Sequence, residues 1–217
     1  MKKSFLPAFR GIAESEYHAL CDLGFIRKKA FEKGEIIFCA GSNVTELGLV
    51  CCGCVHIENN DLWGNKSILS VVKPGEVFAE TYALCRETLM VDAVAAEETS
   101  VLFLDLQSAL DSLHAGQSWY SKLQKNLLLI SAQKNLTLSG RIFCTTSKTI
   151  RGRLLTYLSE QAARSGGNVF HIPFDRQQLA DYLNVERSAL SKELGRMKKE
   201  GLIDYRKNHF KLNENSR

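Results

Sequence analysis

The chain has 217 residues, with 28 Lys or Arg against 24 Asp or Glu and a formal net charge of +4. That length holds one large domain or two small ones around a real core, and no run of about 18 apolar residues is present to span a membrane as a helix. Seven cysteines at irregular spacing, in a chain too long to depend on disulfide staples, read as free thiols in a reducing compartment.

The N-terminus, MKKSFLPAFRGIAESEYHAL, lacks the unbroken apolar stretch of a signal peptide, so the expected location is the cytoplasm. Charge is unevenly spread. Residues 150–217 carry 13 Lys/Arg against 8 Asp/Glu, a surplus of +5, whereas residues 1–149 carry 15 against 16. The surplus points weakly to a polyanionic partner of the C-terminal third.

From Ile26 to Leu106, Gly34, Gly41, Gly53, Gly64 and Gly75 punctuate the β-rich runs EIIFCA, ELGLVCC, CVHIE and KSILSVV, and TSVLFLD follows them. Turn signals at intervals of 7 to 12 residues predict an all-β roll, sandwich or barrel. NNDLWGNK reads as a hairpin loop. Within VCCGCVHIE, strict alternation puts Leu47, Leu49, Cys51, Val55 and Ile57 on one apolar face and Cys52, Cys54 and His56 on the other. Three neighbours on one strand face span about 13 Å, too far to wrap one metal at about 2.3 Å, so sensor-domain thiols are the favoured reading over a metal or redox site.

Ser108 to Phe143 is dominated by long helix formers and predicts one long helix. Leu123, Leu127 and Ile130 follow the spacing of a coiled-coil seam that next reaches Lys134 and Thr137, so pairing with a second copy and packing on the chain's own β domain are equally compatible with the pattern. After CTTSK, TIRGRLLTYLSEQAARSGG predicts a helix closed by its glycine pair.

FDRQQLADYLNVERSALSKELGRMKKEGLIDYRKNHFKL is the most informative stretch. Asp175 and Gln178 make a capping-box variant opening a short helix through Tyr182. Leu183, Asn184 and Val185 form a tight turn, and a second helix runs from Arg187 to Lys199 until Gly201 stops it. LIDYR and HFKL flank a polar tip at Lys207 and Asn208. Together these predict a winged helix-turn-helix.

On the second helix Leu190, Leu194 and Met197 share one narrow apolar face, while Arg187, Ser188, Ser191, Lys192, Arg196 and Lys199 occupy the opposite arc. Such a helix can bury one side and offer the other to a major groove. Arg187 is placed to make a bidentate contact to guanine; Ser188, Ser191 and Lys192 are candidates for bases or phosphates, and Lys198, Lys199, Arg206 and Lys207 for phosphates. The competing reading is an adaptor whose winged helix binds protein and never meets DNA. An enzyme is disfavoured, because no nucleophile-base pair, P-loop or metal-ligand motif has the required spacing.

In KGEIIFCAGS (Lys33 to Ser42), KPGEVFAE (Lys73 to Glu80) and QLADYLNVERSALSKELGRMKKEGLI (Gln178 to Ile203), the chain resembles the Crp/Fnr transcription regulators, over nearly its whole length and in the right order. The resemblance implies an α+β chain with an N-terminal double-stranded β-helix (a jelly-roll-like β-roll, residues 1–107), a long dimerisation helix (108–144) and a C-terminal winged helix-turn-helix (145–217). It also implies a homodimer on a roughly palindromic site of double-stranded DNA, with RNA polymerase as a further partner for an activator and no membrane. Many members have Glu where this chain has Ser188 and Arg where it has Lys192, so an uncommon operator is expected.

Members that bind a cyclic nucleotide hold its ribose with a glycine and a glutamate after the P-G-E turn, and its phosphate with an Arg-Ser or Arg-Thr pair. By this resemblance the effector-pocket positions are Ala79, Glu80, Met90 and Val91. Only Glu80 is retained, either as a ligand contact or as a structural residue. A buried phosphate without its guanidinium and hydroxyl would lose several charge-assisted hydrogen bonds. No cofactor and a sensor not responsive to cyclic AMP in the usual mode are therefore expected, with a different small-molecule effector left open. The alternative within the same architecture is a thiol- or metal-responsive regulator using Cys52 and Cys54. The close N-terminal cysteine cluster of iron-sulfur members is missing, and His18, His56, His114, His171 and His209 show no diagnostic haem spacing.

Overall fold

A computed structural model describes residues 6–60 and 66–213. The chain divides into two compact units, Met1–Ala132 and Gln133–Arg217, with the boundary inside one long helix.

The first unit contains α1 (Glu14–Asp22) and eight strands: β1 (Ile26–Phe31), β2 (Ile36–Phe38), β3 (Glu46–Cys52), β4 (Val55–Asn60), β5 (Lys66–Val72), β6 (Val77–Phe78), β7 (Asp92–Ala95) and β8 (Thr99–Asp105). They form two antiparallel four-stranded sheets, ordered β1-β8-β3-β6 and β2-β7-β4-β5. Alternation along β3 and β8 gives the first sheet two buried faces. Leu47, Leu49, Leu102 and Leu104 pack with Phe9, Leu20, Trp119, Leu123 and Leu127 from the helical segments. Val50, Val101 and Phe103 turn the other way, onto Val55, Ala93 and Ala95 of the second sheet. This is the expected β-roll.

The expected single apolar face of VCCGCVHIE is not observed. Leu47, Leu49 and Cys51 belong to the helix-facing core, whereas Val55 and Ile57 belong to the core between the sheets. The chain changes sheets at Gly53, whose φ is +81° and whose missing Cβ would stand 2.4 Å from the Glu98 carbonyl oxygen; only glycine fits there. The tip of the NNDLWGNK loop, residues 61–65, lies outside the described residues, and the flanking pair Asn60 and Lys66 are register partners across β4 and β5.

The long helix also differs from expectation. Residues 106–114 form separate short turns, α3 (Leu106–Ala109) and a 3₁₀ turn (Ser112–His114), before α4 runs over Tyr120–Thr145. Two aspartates break the continuity: Asp105 accepts a hydrogen bond from the Ser108 N–H at 3.2 Å and Asp111 from the Leu113 N–H at 2.9 Å. Each side chain thereby caps a new start. On α4, Leu123 and Leu127 are buried against the β-roll core with Ile130 partly buried beside them, so the anticipated seam is an intra-unit contact. The large apolar residues of α4 left exposed are Leu128, Leu129, Leu136, Leu138, Ile142 and Phe143.

The second unit holds the end of α4, α5 (Ile150–Ser165), β9 (Val169–His171), α6 (Arg176–Tyr182), α7 (Arg187–Lys199), β10 (Ile203–Arg206) and β11 (His209–Leu212). Its sheet has the order β10-β11-β9. Leu154, Tyr157, Leu158, Leu179, Leu190, Leu194, Met197 and Phe210 are buried in one core. The winged helix-turn-helix is thus present with the predicted helices and hairpin, plus a third strand, β9, that pattern reading had passed over.

Candidate nucleic-acid interface

The two helices of the motif are held by local hydrogen bonds legible in their residue types. Asp175 accepts the Gln178 N–H at 2.8 Å and the Gln178 side chain accepts the Asp175 N–H at 2.9 Å, closing the capping box that starts α6. At its other end Asn184 takes φ +51°, a left-handed conformation that asparagine tolerates. Two arginines satisfy the carbonyls exposed there. Arg141 donates to the Tyr182 and Asp181 oxygens at 3.1 and 2.9 Å, and Arg153 to those of Leu183 and Asn184 at 2.9 and 2.8 Å. Helix ends leave such acceptors unsatisfied, so these guanidinium groups fix the turn that sets the angle between α6 and α7.

Glu186 caps α7. Its Oε2 accepts the Ser188 N–H at 2.7 Å and the Ala189 N–H at 3.4 Å, and the Ser188 hydroxyl also donates to it. These bonds hold the Glu186 carboxyl below its ordinary pKa, the Ser188 hydroxyl contributing most. Leu190, Leu194 and Met197 are fully buried, while Arg187, Ser188, Ser191, Lys192, Arg196 and Lys199 are exposed. Arg206 and Lys207 are exposed at the wing, with Lys207 in the left-handed region at φ +55°.

The cations fall into two groups. Arg196 lies 3.5 Å from Glu193, and Lys198 pairs with Asp204 at 2.5 Å. Among the described residues, no ion pair engages Arg187, Lys192, Lys199, Arg206 or Lys207.

Sequence reasoning passed over Arg176, the first residue of α6. Its guanidinium is half-buried over the Tyr205 ring, 5.1 Å from the centroid. Burial lowers its pKa, and the charge of Arg187 acts in the same direction. Both arginines open helices, where the macrodipole disfavours a cation. A cation at the first position of each helix was the available signal.

In the β-roll, Ala79 is the N-cap of α2 (Glu80–Cys85) and takes φ +63°, where a residue carrying a Cβ is strained. Glu80 is buried, with the Thr81 hydroxyl 3.5 Å from its Oε1. Met90 is 78% exposed and Val91 half-buried; a thioether and a branched hydrocarbon, they have neither a charge nor a hydroxyl to offer a phosphate. Cys52 is exposed and Cys54 partly so; burial, then Glu97, pushes the Cys54 thiol up, away from the reactive thiolate. Among the described residues no cluster of three His, Cys, Asp or Glu side chains could hold a metal ion, and no helix is long and apolar enough to cross a membrane.

Two family models match: the "Cyclic nucleotide-binding domain" over residues 28–115 and the "Crp-like helix-turn-helix domain" over residues 152–214. The chain belongs to the Crp/Fnr family. As a Crp/Fnr protein it is a DNA-binding transcription regulator. It is 24% identical over 197 residues to the "Cyclic AMP receptor protein" of Thermus thermophilus, covering 91% of this chain and 88% of that one. To the "Transcriptional activator protein FnrA" of Stutzerimonas stutzeri it is 24% identical, over 82% of this chain and 73% of the relative. The structure of FixK2 from Bradyrhizobium japonicum shares the fold with a TM-score of 0.53 at 19% identity, covering 88% of this chain and 94% of that one.

Proposed function

We propose that this Crp/Fnr regulator works as a homodimer on a roughly palindromic DNA site, one α7 per half-site. In this reading Arg187, Ser191 and Lys192 face base edges. Ser188, whose hydroxyl donates to Glu186, serves mainly to hold the carboxylate that caps the helix presenting them. Arg196, Lys199, Arg206 and Lys207 take phosphates, and Arg176 joins them. The observation that carries it is the division of α7 into a buried apolar face and an exposed cationic one whose Arg187, Lys192 and Lys199 lack an acidic partner among the described residues. Dimer contact falls to the exposed side of α4, where Leu129, Leu136 and Phe143 recur every seven residues.

The signal is one other than cyclic AMP bound in the usual mode, because Ala79, Met90 and Val91 offer a cyclic phosphate neither a guanidinium nor a hydroxyl. DNA selection with the purified full chain tests the first part: a two-fold-related consensus is expected, and return of random sequence refutes it. Calorimetry with cyclic AMP tests the second: no saturable heat is expected, and a stoichiometric isotherm refutes it.

A further inference from the structure

Arg151, the second residue of α5, commits all three guanidinium nitrogens to two carboxylates of the recognition helix and its C-cap. Its Nε donates to Glu193 Oε1 at 2.7 Å, and its Nη1 and Nη2 donate to Glu200 Oε2 and Oε1, each at 2.8 Å. The other oxygen of Glu193, Oε2, lies 3.5 Å from Arg196 Nη1. Glu193 is the only acid within α7, and Glu200 is its C-cap residue.

We infer that Arg151 is a positioning residue for DNA recognition: it masks the two carboxylates of the recognition helix and, by holding Glu193, leaves Arg196 only a loose contact that it can exchange for a phosphate. A helix laid in a groove walled by phosphates gains from every cation and loses from every bare carboxylate. Glu200 is doubly misplaced, since a helix C-terminus also disfavours an anion. A planar fork bound to both its oxygens neutralises it through two parallel hydrogen bonds, where a lysine would neutralise it by charge alone. At Glu193 the arginine bond at 2.7 Å is the tighter of its two contacts, and Arg196, with 59% of its side chain exposed, is held by the longer one. Without Arg151 the Glu193 carboxylate is released to close on Arg196, and the helix loses one phosphate partner. The inference rests on the reading that α7 is the groove-facing helix.

The test uses the full chain and a duplex obtained by selection, with binding measured across a salt series. Since affinity scales with salt concentration to the power of roughly −0.9 per phosphate contact, R151Q is expected to bind about eightfold more weakly at about 0.1 M salt, with a slope lower by about one. The triple variant R151Q/E193Q/E200Q is expected to regain the original affinity and slope, and E193Q/E200Q alone to lose neither. Failure of the triple variant to recover, or an equal loss in E193Q/E200Q, overturns the masking role, because a bracing contact or a phosphate contact by Arg151 itself gives those results. Should R151Q prove thermally unstable, Arg151→Lys carries the test: it keeps the charge without the fork, so the slope is retained under masking, and a loss as large as that of R151Q overturns it. Arg187→Ala runs alongside. Weakening there with no effect in R151Q sinks this inference alone, whereas no effect of Arg187→Ala sinks the placement of α7 as well.

Discussion

Lys122, in the first turn of α4, grips both carboxylate oxygens of Glu16 on α1, at 2.7 and 2.8 Å across 106 residues of sequence. The Lys122 hydrogen bond, then those from Ser118 and the Ala13 N–H, hold Glu16 at about 2, well below its ordinary 4.5. A carboxylate with a depressed folded-state pKa stabilises the fold above its unfolded value, and this contribution is lost as the pH falls through the folded value. The loss therefore falls between about pH 4.5 and pH 2. With Lys122 40% exposed, solvent screening limits the effect to about 1 kcal/mol. Denaturant unfolding of Glu16→Gln should show stability lower at neutral pH and a shallower decline through that window; a decline as steep as in the parent chain would refute the link.

Ala79→Gly should stabilise the protein. A left-handed φ of +63° at a residue with a Cβ costs about 1–2 kcal/mol, part of which glycine returns through its greater unfolded-state freedom, leaving a gain of about 0.5–1 kcal/mol. A rise in melting temperature checks it, and a fall would show that the Ala79 methyl, which packs at the edge of the inter-sheet core, matters more than the backbone.

Gly48→Ala should be costly. A Cβ there would stand 2.2 to 2.8 Å from three ring atoms of Phe78, itself buried and packed on Phe38. Overpacking of this kind costs about 1–3 kcal/mol. The urea midpoint should fall with the slope unchanged, and Phe78→Leu in the same chain should recover part of the loss by making room.

What the residues announced in advance was local. The Asp175–Gln178 box, the tight turn at Asn184 and the burial of Leu190, Leu194 and Met197 all depend on neighbours within a few positions, and all appear as expected. What stayed hidden depends on distant partners. The spacing of Leu123 and Leu127 marks an apolar stripe without saying which body covers it, and the body is the chain's own β-roll. Strand β9 is three residues long and is held by antiparallel pairing with β11, where Phe170 is the register partner of Phe210, 40 positions later, and stacks on it. Asp105 and Asp111 were readable as caps, but helix-forming neighbours masked them. Arg151 meets Glu193 and Glu200 across 42 and 49 residues, and no periodicity foretells such a contact.

At the wing, stability and DNA affinity should move in opposite directions on one substitution. Lys207 sits at the hairpin tip with φ +55°, between β10 and β11, whose Arg206 and His209 pair in register. Glycine adopts that conformation without the Cβ penalty, so Lys207→Gly should raise unfolding stability by about 0.5–1 kcal/mol. The same change removes an exposed cation assigned to a phosphate, so the salt slope of DNA binding should drop by about one while base preference is retained. The retention of a strained lysine at a position where glycine fits is then explained by its contact outside the protein. Unchanged salt dependence together with higher stability would leave the strain without that explanation and remove Lys207 from the interface.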